Sequence, residues 1–506
     1  MAWFSMANFA EVDWVDPLDP GTRRIGGPSF ARLLGTWRPD DQRGLAAALT
    51  ERVRLLILDG RLPLGTRIPA ERELAAALDV SRTTVAAAYE ALRADAFLES
   101  RRGSGSWTRV PGPTGAAAAE TPFSPLTGGG LTDLAHAALA APTDAIRRAA
   151  AAAVAELDGH ICGHGYTLSG IPAMREAVAR RFTERGVPTT PDQILVTSGA
   201  QHAIALVLTL LAGPGDRVLV EHPTYPNALD AIRSRGARPV PVPLSPGDRE
   251  PAWDLDLLTA TVRDTHPALC YLVPDFHNPT GAVMPPEIRQ GVVSLARRTR
   301  TPIVVDETLT ELPLDVPVPD PVARHAPDSA LLITIGSASK VFWGGLRIGW
   351  IRTSASLVRR LAALRPSIDL GGAVLDQIVT ARLLGEVEAV VTERQETLRM
   401  ARADLQRRLA ADFPQWRPNH PSGGLSLWVD LGQPVSSLLA GAARRHDVLL
   451  AAGPRFGVDG AFERYVRLPY TLRPEQAAAA LDRLTAAWQG LRHQPDRAAA
   501  DQIAVA

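Results

Sequence analysis

Lysine is all but missing from this chain. Lys and Arg total 54 in 506 residues, yet the only lysine is Lys340, in the stretch GSASKVFWGGLRIGW from Gly336 to Trp350. Arginine serves wherever positive charge alone is wanted, but a guanidinium stays protonated and is no amine nucleophile. Lys340 is therefore a Schiff-base candidate, unless it is a surface lysine that fell there by chance. Cysteine is nearly as scarce: Cys162 and Cys270 make no disulfide framework, and their histidine neighbours lack zinc spacing, so no metal site is expected. Net charge is also missing, at +0 with a pI of about 7.2, so any nucleic-acid contact must come from a local patch. No apolar run is long and uncharged enough to span a bilayer. The opening MAWFSMANFAEVDWVDPLDP has early acids and no basic region followed by an apolar one, so no secretory leader, no membrane partner and a cytoplasmic chain are expected.

What is present suggests several domains, because 506 residues exceed one ordinary core. Residues 1–43 read as an irregular leader and residues 44–108 as a compact helical unit. Residues 109–130, rich in Pro, Gly and Ala without apolar period, read as a linker. Residues 131–492 alternate strand-like runs (QILVTSG, DRVLVEHP, LCYLVP, TPIVVDE, LLITIGS) with helical segments, the pattern of a mostly parallel sheet covered on both faces. Residues 493–506 read as a polar tail.

In the first unit Leu45, Leu49, Val53, Leu56 and Ile57 recur at helical spacing. IPAERELAAALDV and SRTTVAAAYEALRADAF follow as two more helices, with Ser81 placed to cap the second. A short turn from Leu78 to Val80 makes the pair a helix-turn-helix, which puts Ser81, Arg82, Thr83 and Thr84 where recognition helices meet base edges and phosphates. LESRRGSGSWTRV then gives two strands about a Gly-rich turn, a wing carrying Arg101 and Arg102, where Gly103 permits close backbone approach. Ten Lys/Arg against eight Asp/Glu between Gly44 and Val110 make this a signal of position, not of bulk charge. The run PAERELAAALDVSRTTVAAAYEALRADAFLESRRGSGSW resembles the winged helix-turn-helix of GntR-family bacterial transcription regulators. That resemblance implies a double-stranded DNA partner and names Arg72, Ser81, Arg82, Thr84 and Gly103 as contacts, chiefly to phosphates.

Around Lys340 the large unit holds more chemistry. TSGAQ ends a strand and opens a helix, so Ser198, Gly199, Ala200 and Gln201 offer backbone N–H groups and a helix dipole to a phosphate, with Ser337 and Arg347 able to join them. IVVDE places Asp306 at a strand end; alone it reads sooner as a cap or turn aspartate. HNPTG supplies Asn278 and PTY supplies Tyr225, which alone would be a turn residue and a core residue. In this order the motifs resemble fold-type-I aminotransferases that bind pyridoxal 5′-phosphate, an α/β fold with a large, mostly parallel sheet and a smaller C-terminal subdomain.

The resemblance implies Lys340 as the catalytic Schiff-base lysine, Asp306 at the ring nitrogen, Asn278 at the phenolic oxygen and Tyr225 stacked on the ring. It implies Tyr166, in YTLSGIPAMREAV, on the phosphate of a neighbouring subunit in a homodimer, and Arg467, in YVRLPY, as a fork for a substrate carboxylate. A GntR-type head on such a unit is the architecture of MocR/GabR-type regulators. One departure stands out: where the family carries a tyrosine just after the ring-nitrogen aspartate, this chain reads DETLTEL, with Thr308 and Leu309. Losing that donor is expected to raise the pKa of the internal aldimine, with Thr308 in partial compensation. Two functions follow: a DNA-binding transcription regulator that senses pyridoxal phosphate, or an amino-acid or amine effector, by aldimine chemistry at Lys340; or an aminotransferase with a vestigial or autoregulatory head.

Overall fold

The computed structural model describes residues 24–35, 37–39, 44–58, 62, 66–95, 97–101, 105–109, 131–244, 252–458 and 460–492. The chain divides into two units, Met1–Glu120 and Thr121–Ala506. The expected linker beyond Arg109, up to residue 130, and the expected tail at 493–506 lie outside the described residues.

The first unit runs α1 (Gly27–Leu34), α2 (Leu45–Leu58), α3 (Glu71–Leu78), α4 (Arg82–Ala94), β1 (Leu98–Arg101) and β2 (Gly105–Thr108). Leu49, Val53, Leu56 and Ile57 of α2 pack with Leu74, Val85 and Leu92 into one core. Asp79, in the left-handed region at φ 51°, ends α3, and the Ser81 hydroxyl caps α4 by accepting the Thr84 N–H at 3.0 Å. The irregular leader needs correction over 27–34. Helix α1 buries Phe30 and Leu34 completely, and at Gly27 a Cβ would stand only 3.1 Å from Glu73 of α3. An eight-residue helix has too little internal cooperativity to announce itself; it forms because this apolar face is covered. The wing strands pair antiparallel from Leu98↔Thr108 to Arg101↔Gly105.

The second unit begins β3 (Thr132–Leu134), α5 (Thr143–Glu156), α6 (Pro172–Glu184), β4 (Ile194–Thr197), α7 (Ala200–Leu211), β5 (Arg217–His222), α8 (Pro226–Ser234), β6 (Arg238–Pro243), α9 (Leu255–Thr265), β7 (Leu269–Leu272), α10 (Pro286–Thr299), β8 (Ile303–Asp306), β9 (Leu332–Ser337) and β10 (Gly349–Arg352). It continues α11 (Ala355–Ala362), α12 (Val374–Leu384), α13 (Val387–Asp412), β11 (Arg417–Pro418), β12 (Ser426–Asp430), α14 (Ser436–Arg445), β13 (Val448–Ala452), β14 (Tyr465–Pro469) and α15 (Pro474–Arg492). A seven-stranded sheet has the order β4-β10-β9-β8-β7-β5-β6, parallel except for β10, which runs against both neighbours. A five-stranded sheet, β11-β12-β14-β13-β3, forms the smaller subdomain.

Strands β4, β7 and β8 are buried throughout, which is why they read as unbroken apolar runs. Strand β6, RPVPVP, carries proline at alternate positions and sits at the sheet edge. Alternate residues of an edge strand turn their N–H to solvent, so these prolines cost no ladder bond. Among the described residues no helix is long and apolar enough to cross a membrane, and no cluster of His, Cys, Asp or Glu is arranged for a metal.

Candidate functional site

The parallel strands deliver their chemistry at their carboxyl ends, where open α/β sheets bind ligands. The antiparallel β10 aligns two of these ends with its own start: Gly349 pairs with Thr197 of β4 on one side and Ser337 of β9 on the other. Just beyond Thr197, Gly199 (φ 92°) turns the chain into α7, and a Cβ there would stand 2.7 Å from Arg347 Nη2. Only glycine fits this turn. Arg347 Nη2 donates to the Ser198 carbonyl at 2.9 Å. The first-turn N–H groups of α7, at Ala200 and Gln201, have no carbonyl a turn earlier in the helix to accept them. Gln201 Nε2 donates to Asn227 O at 3.1 Å, while its Oε1 is buried with no partner among the described residues. Ser337 accepts the Ser339 N–H at 3.1 Å and donates to Ile348 O at 3.3 Å, which fixes the turn leading to Lys340.

Lys340 Nζ donates to Ala137 O at 2.6 Å. Burial pulls its pKa from the ordinary 10.5 down to about 8, Arg467 adds to the fall and Asp306 opposes it. Arg467 is buried in the middle of β14, with Nη1 on Asn278 Oδ1 at 3.0 Å, Nη2 on Ala135 O, and Nε without a partner among the described residues. Its guanidinium carbon lies 4.9 Å from the centre of the Phe456 ring, and burial lowers its pKa to about 10. Asp306 is 3% exposed; Oδ2 accepts the Tyr271 hydroxyl at 2.6 Å and Oδ1 accepts the Thr308 N–H at 3.0 Å. Burial raises its pKa, against the lowering effect of those bonds. Tyr225 accepts a hydrogen bond from Asn227 Nδ2 at 3.0 Å, and burial, with the Asp306 charge nearby, pushes its pKa up to about 12.

Lys340, Asp306, Tyr225, Asn278, Arg467 and Arg347 are thus joined by contacts or by mutual electrostatic influence. Thr308 serves Asp306 directly. Leu309 is packed in the subdomain core with Leu312 and Leu427, so it supplies no donor in place of the family's tyrosine. Tyr166 is 62% exposed, beside His164. In the head, Arg72, Ser81, Arg82 and Thr83 are exposed and Thr84 is half-buried. Arg102, Gly103 and the Arg101 side chain lie outside the described residues.

Three features escaped the sequence. Tyr271 sits mid-strand among apolar residues, and only the β7–β8 pairing brings it to Asp306. His202 accepts the Ser198 N–H at 3.1 Å on Nδ1, leaving a buried Nε2 without a partner among the described residues; burial lowers its pKa. The backbone after β3, pinned by Asp133 Oδ1 to the N–H groups of Ala135 and His136, presents carbonyls to both Lys340 and Arg467.

Pyridoxal phosphate fits this residue set. An anion has an open helix N-terminus and Arg347 beside a glycine whose positive φ would strain any other residue. A buried carboxylate, Asp306, forms no ion pair among the described residues, so a cationic ring nitrogen would complete it. Burial brings the amine's pKa down to about 8, so its neutral, nucleophilic form is accessible close to neutral pH although the charged form still predominates there.

Residues 131–484 match the aminotransferase class I and II family, and residues 45–107 match the bacterial regulatory proteins of the gntR family. The chain belongs to the class I and II aminotransferase family and carries a GntR-family head. Its family is pyridoxal-phosphate dependent, its head is a DNA-binding one, and the pair is the architecture of MocR-type transcription regulators. Its relatives include YisV, an HTH-type transcriptional regulator of Bacillus subtilis, 28% identical over 87% of this chain and 95% of that one. They also include the probable rhizopine catabolism regulatory protein MocR of Rhizobium meliloti, 29% identical over 60% of this chain and 64% of that one. Among solved structures, the α-aminoadipate aminotransferase LysN of Thermus thermophilus, complexed with N-(5′-phosphopyridoxyl)-L-leucine, superposes with a TM-score of 0.65 at 27% identity, covering 72% of this chain and 93% of that one.

Proposed function

We propose that this regulator reads a carboxylate-bearing amine, such as an amino acid, at Lys340 and converts its arrival into altered DNA binding. The observation that carries this is the placement of Lys340 Nζ and the buried Arg467 fork on one short backbone segment, at the carbonyls of Ala137 and Ala135. Bound pyridoxal phosphate supplies an aldehyde that exchanges one amine for another and a ring that draws electrons. Lys340 would hold that group covalently through Nζ and would be left as a free amine wherever an incoming amine took its place. Arg467 takes the amine's carboxylate, trading the Ala135 carbonyl for a charge-assisted pair. Asp306, oriented by Tyr271 and Thr308, keeps a proton on the ring nitrogen. Ser198 to Gln201, Ser337 and Arg347 hold the phosphate, with Tyr166 from the second subunit of a homodimer. A ligand shifts DNA affinity only by binding two arrangements of the protein unequally. The protein works in the cytoplasm, where paired heads meet an operator of paired half-sites.

A second reading, a working aminotransferase, is favoured by one observation. A lysine whose pKa is about 8 is suited, once released, to shuttle a proton near neutral pH. Titration of the loaded protein with a panel of amino acids separates the two. A regulator changes its absorbance stoichiometrically and releases no more than one oxo acid per site; an aminotransferase given an acceptor oxo acid converts many equivalents.

A further inference from the structure

We infer that Arg24, in the leader that leads into α1, is part of the nucleic-acid interface, completing an arc of guanidinium groups, Arg24, Arg67, Arg72 and Arg82, that grips duplex phosphates between the wing and the recognition helix. The inference rests on the DNA-binding reading of the head and adds to it an element outside the residues, 45–107, that match the GntR family.

The arc is continuous in the fold. Arg67 pairs in antiparallel register with Trp107 of wing strand β2, and Arg24 pairs in parallel with Arg67, where the Ile25 N–H donates to Arg67 O at 3.1 Å. One bridge thereby ties the leader to Arg67, and another ties Arg67 to the wing. The leader's position is locked from the other side by α1, whose Gly27 N–H donates to Glu73 Oε1 at 2.7 Å and whose Phe30 and Leu34 enter the core. The backbone at Arg24 is consequently preorganised, so only its side chain has to be ordered on DNA.

The side chains share one neighbourhood. Arg24 approaches Glu73 at 3.9 Å, Arg82 approaches Glu71 at 3.5 Å, and both acids belong to the first turn of α3, with Arg72 between them in sequence. Arg24 is 65% and Arg82 73% exposed. Solvated pairs as open as these contribute little to stability, so each guanidinium is free to exchange a carboxylate for a phosphate. Arg67 lies over the Trp107 ring, 5.9 Å from its centre, and beside Gly105 (φ 121°), where a Cβ would come within 2.8 Å of Arg67 Nε. The wing strand therefore keeps a bare backbone at the one place where Arg67 passes it.

The test is the salt dependence of binding, because each phosphate neutralised releases counterions and contributes about −0.9 to the slope of log K against log salt. Full-length protein loaded with pyridoxal phosphate is titrated into a fluorescent mixed-sequence DNA duplex across a sodium chloride series. For each head engaged on the duplex, Arg24→Gln and Arg67→Gln are each expected to flatten the slope by about 0.9, and the double variant by about 1.8. Arg24→Lys keeps the slope, which ties the loss to charge and not to a damaged fold. Arg32→Gln, which removes the same charge from the exposed side of α1, leaves it unchanged. A wild-type slope that Arg82→Gln flattens but Arg24→Gln and Arg67→Gln do not overturns the arc alone. A wild-type protein with no salt-dependent binding overturns it together with the DNA-binding reading of the head.

Discussion

Lys340→Arg abolishes covalent attachment of pyridoxal phosphate. The visible absorbance of the lysine-linked cofactor disappears, and borohydride treatment fixes none of it to the chain. No other lysine exists to take over, and arginine keeps the positive charge while remaining protonated and non-nucleophilic. The same residue gives the reaction a pH signature. Only the neutral amine attacks the aldehyde, so lowering the pKa from 10.5 to about 8 raises the reactive fraction roughly three-hundredfold at pH values below both. Capture of pyridoxal phosphate by the cofactor-free protein is expected to quicken about tenfold per pH unit up to about pH 8 and to level off above it. A rate still climbing through pH 9.5 contradicts a sheltered Lys340.

Asp306→Asn acts in opposite directions on stability and on cofactor binding. Its carboxylate is buried with two donors but, among the described residues, no cation in ion-pair contact, and burial already pushes its pKa upward. An isolated buried charge costs free energy, so the neutral amide leaves the cofactor-free protein at least as stable as the wild type. The pyridine nitrogen, however, loses the anion that keeps it protonated. A hydrogen bond to a charged group contributes about 2 kcal/mol, so pyridoxal phosphate binds roughly thirtyfold more weakly. Equilibrium dialysis measures the affinity, and thermal unfolding of the cofactor-free protein measures the stability. Unchanged affinity with a melting temperature lowered by several degrees would make Asp306 an ordinary structural aspartate.

The residues that sequence made legible share one property: their chemistry is carried by side chains inside short, ordered motifs. Lys340 stood out because its type occurs once. TSGAQ and IVVDE kept the strand-then-turn spacing that places Ser198 and Asp306 at strand ends, HNPTG marked the loop beyond β7 that carries Asn278, and the Ser81 cap announced the start of α4. What sequence hid depends on tertiary neighbours. Strand β6 carries three prolines in six residues, and only its edge position makes that tolerable. Strand β10 lies within or beside the Lys340 stretch, but nothing in GWIR states that it runs backwards between β4 and β9. Tyr271 resembles any core tyrosine until the sheet register sets it on Asp306. The acceptors for Lys340 and Arg467 are backbone carbonyls at Ala137 and Ala135, which leave no trace in residue type. Helix α1 was hidden for the same reason, since its two buried side chains declare themselves only against α3.

The central claim, that chemistry at Lys340 controls binding to DNA, is met most directly by measuring duplex affinity of the loaded protein with and without each amino acid, in the wild type and in Lys340→Arg. The account predicts that at least one carboxylate-bearing amine changes the wild-type affinity by about five- to a hundredfold, the usual range of coupling between sites, and leaves Lys340→Arg unmoved. Amino acids that are turned over to oxo acids by many equivalents while wild-type DNA affinity stays constant would contradict it and make the protein an aminotransferase that happens to carry a DNA-binding head.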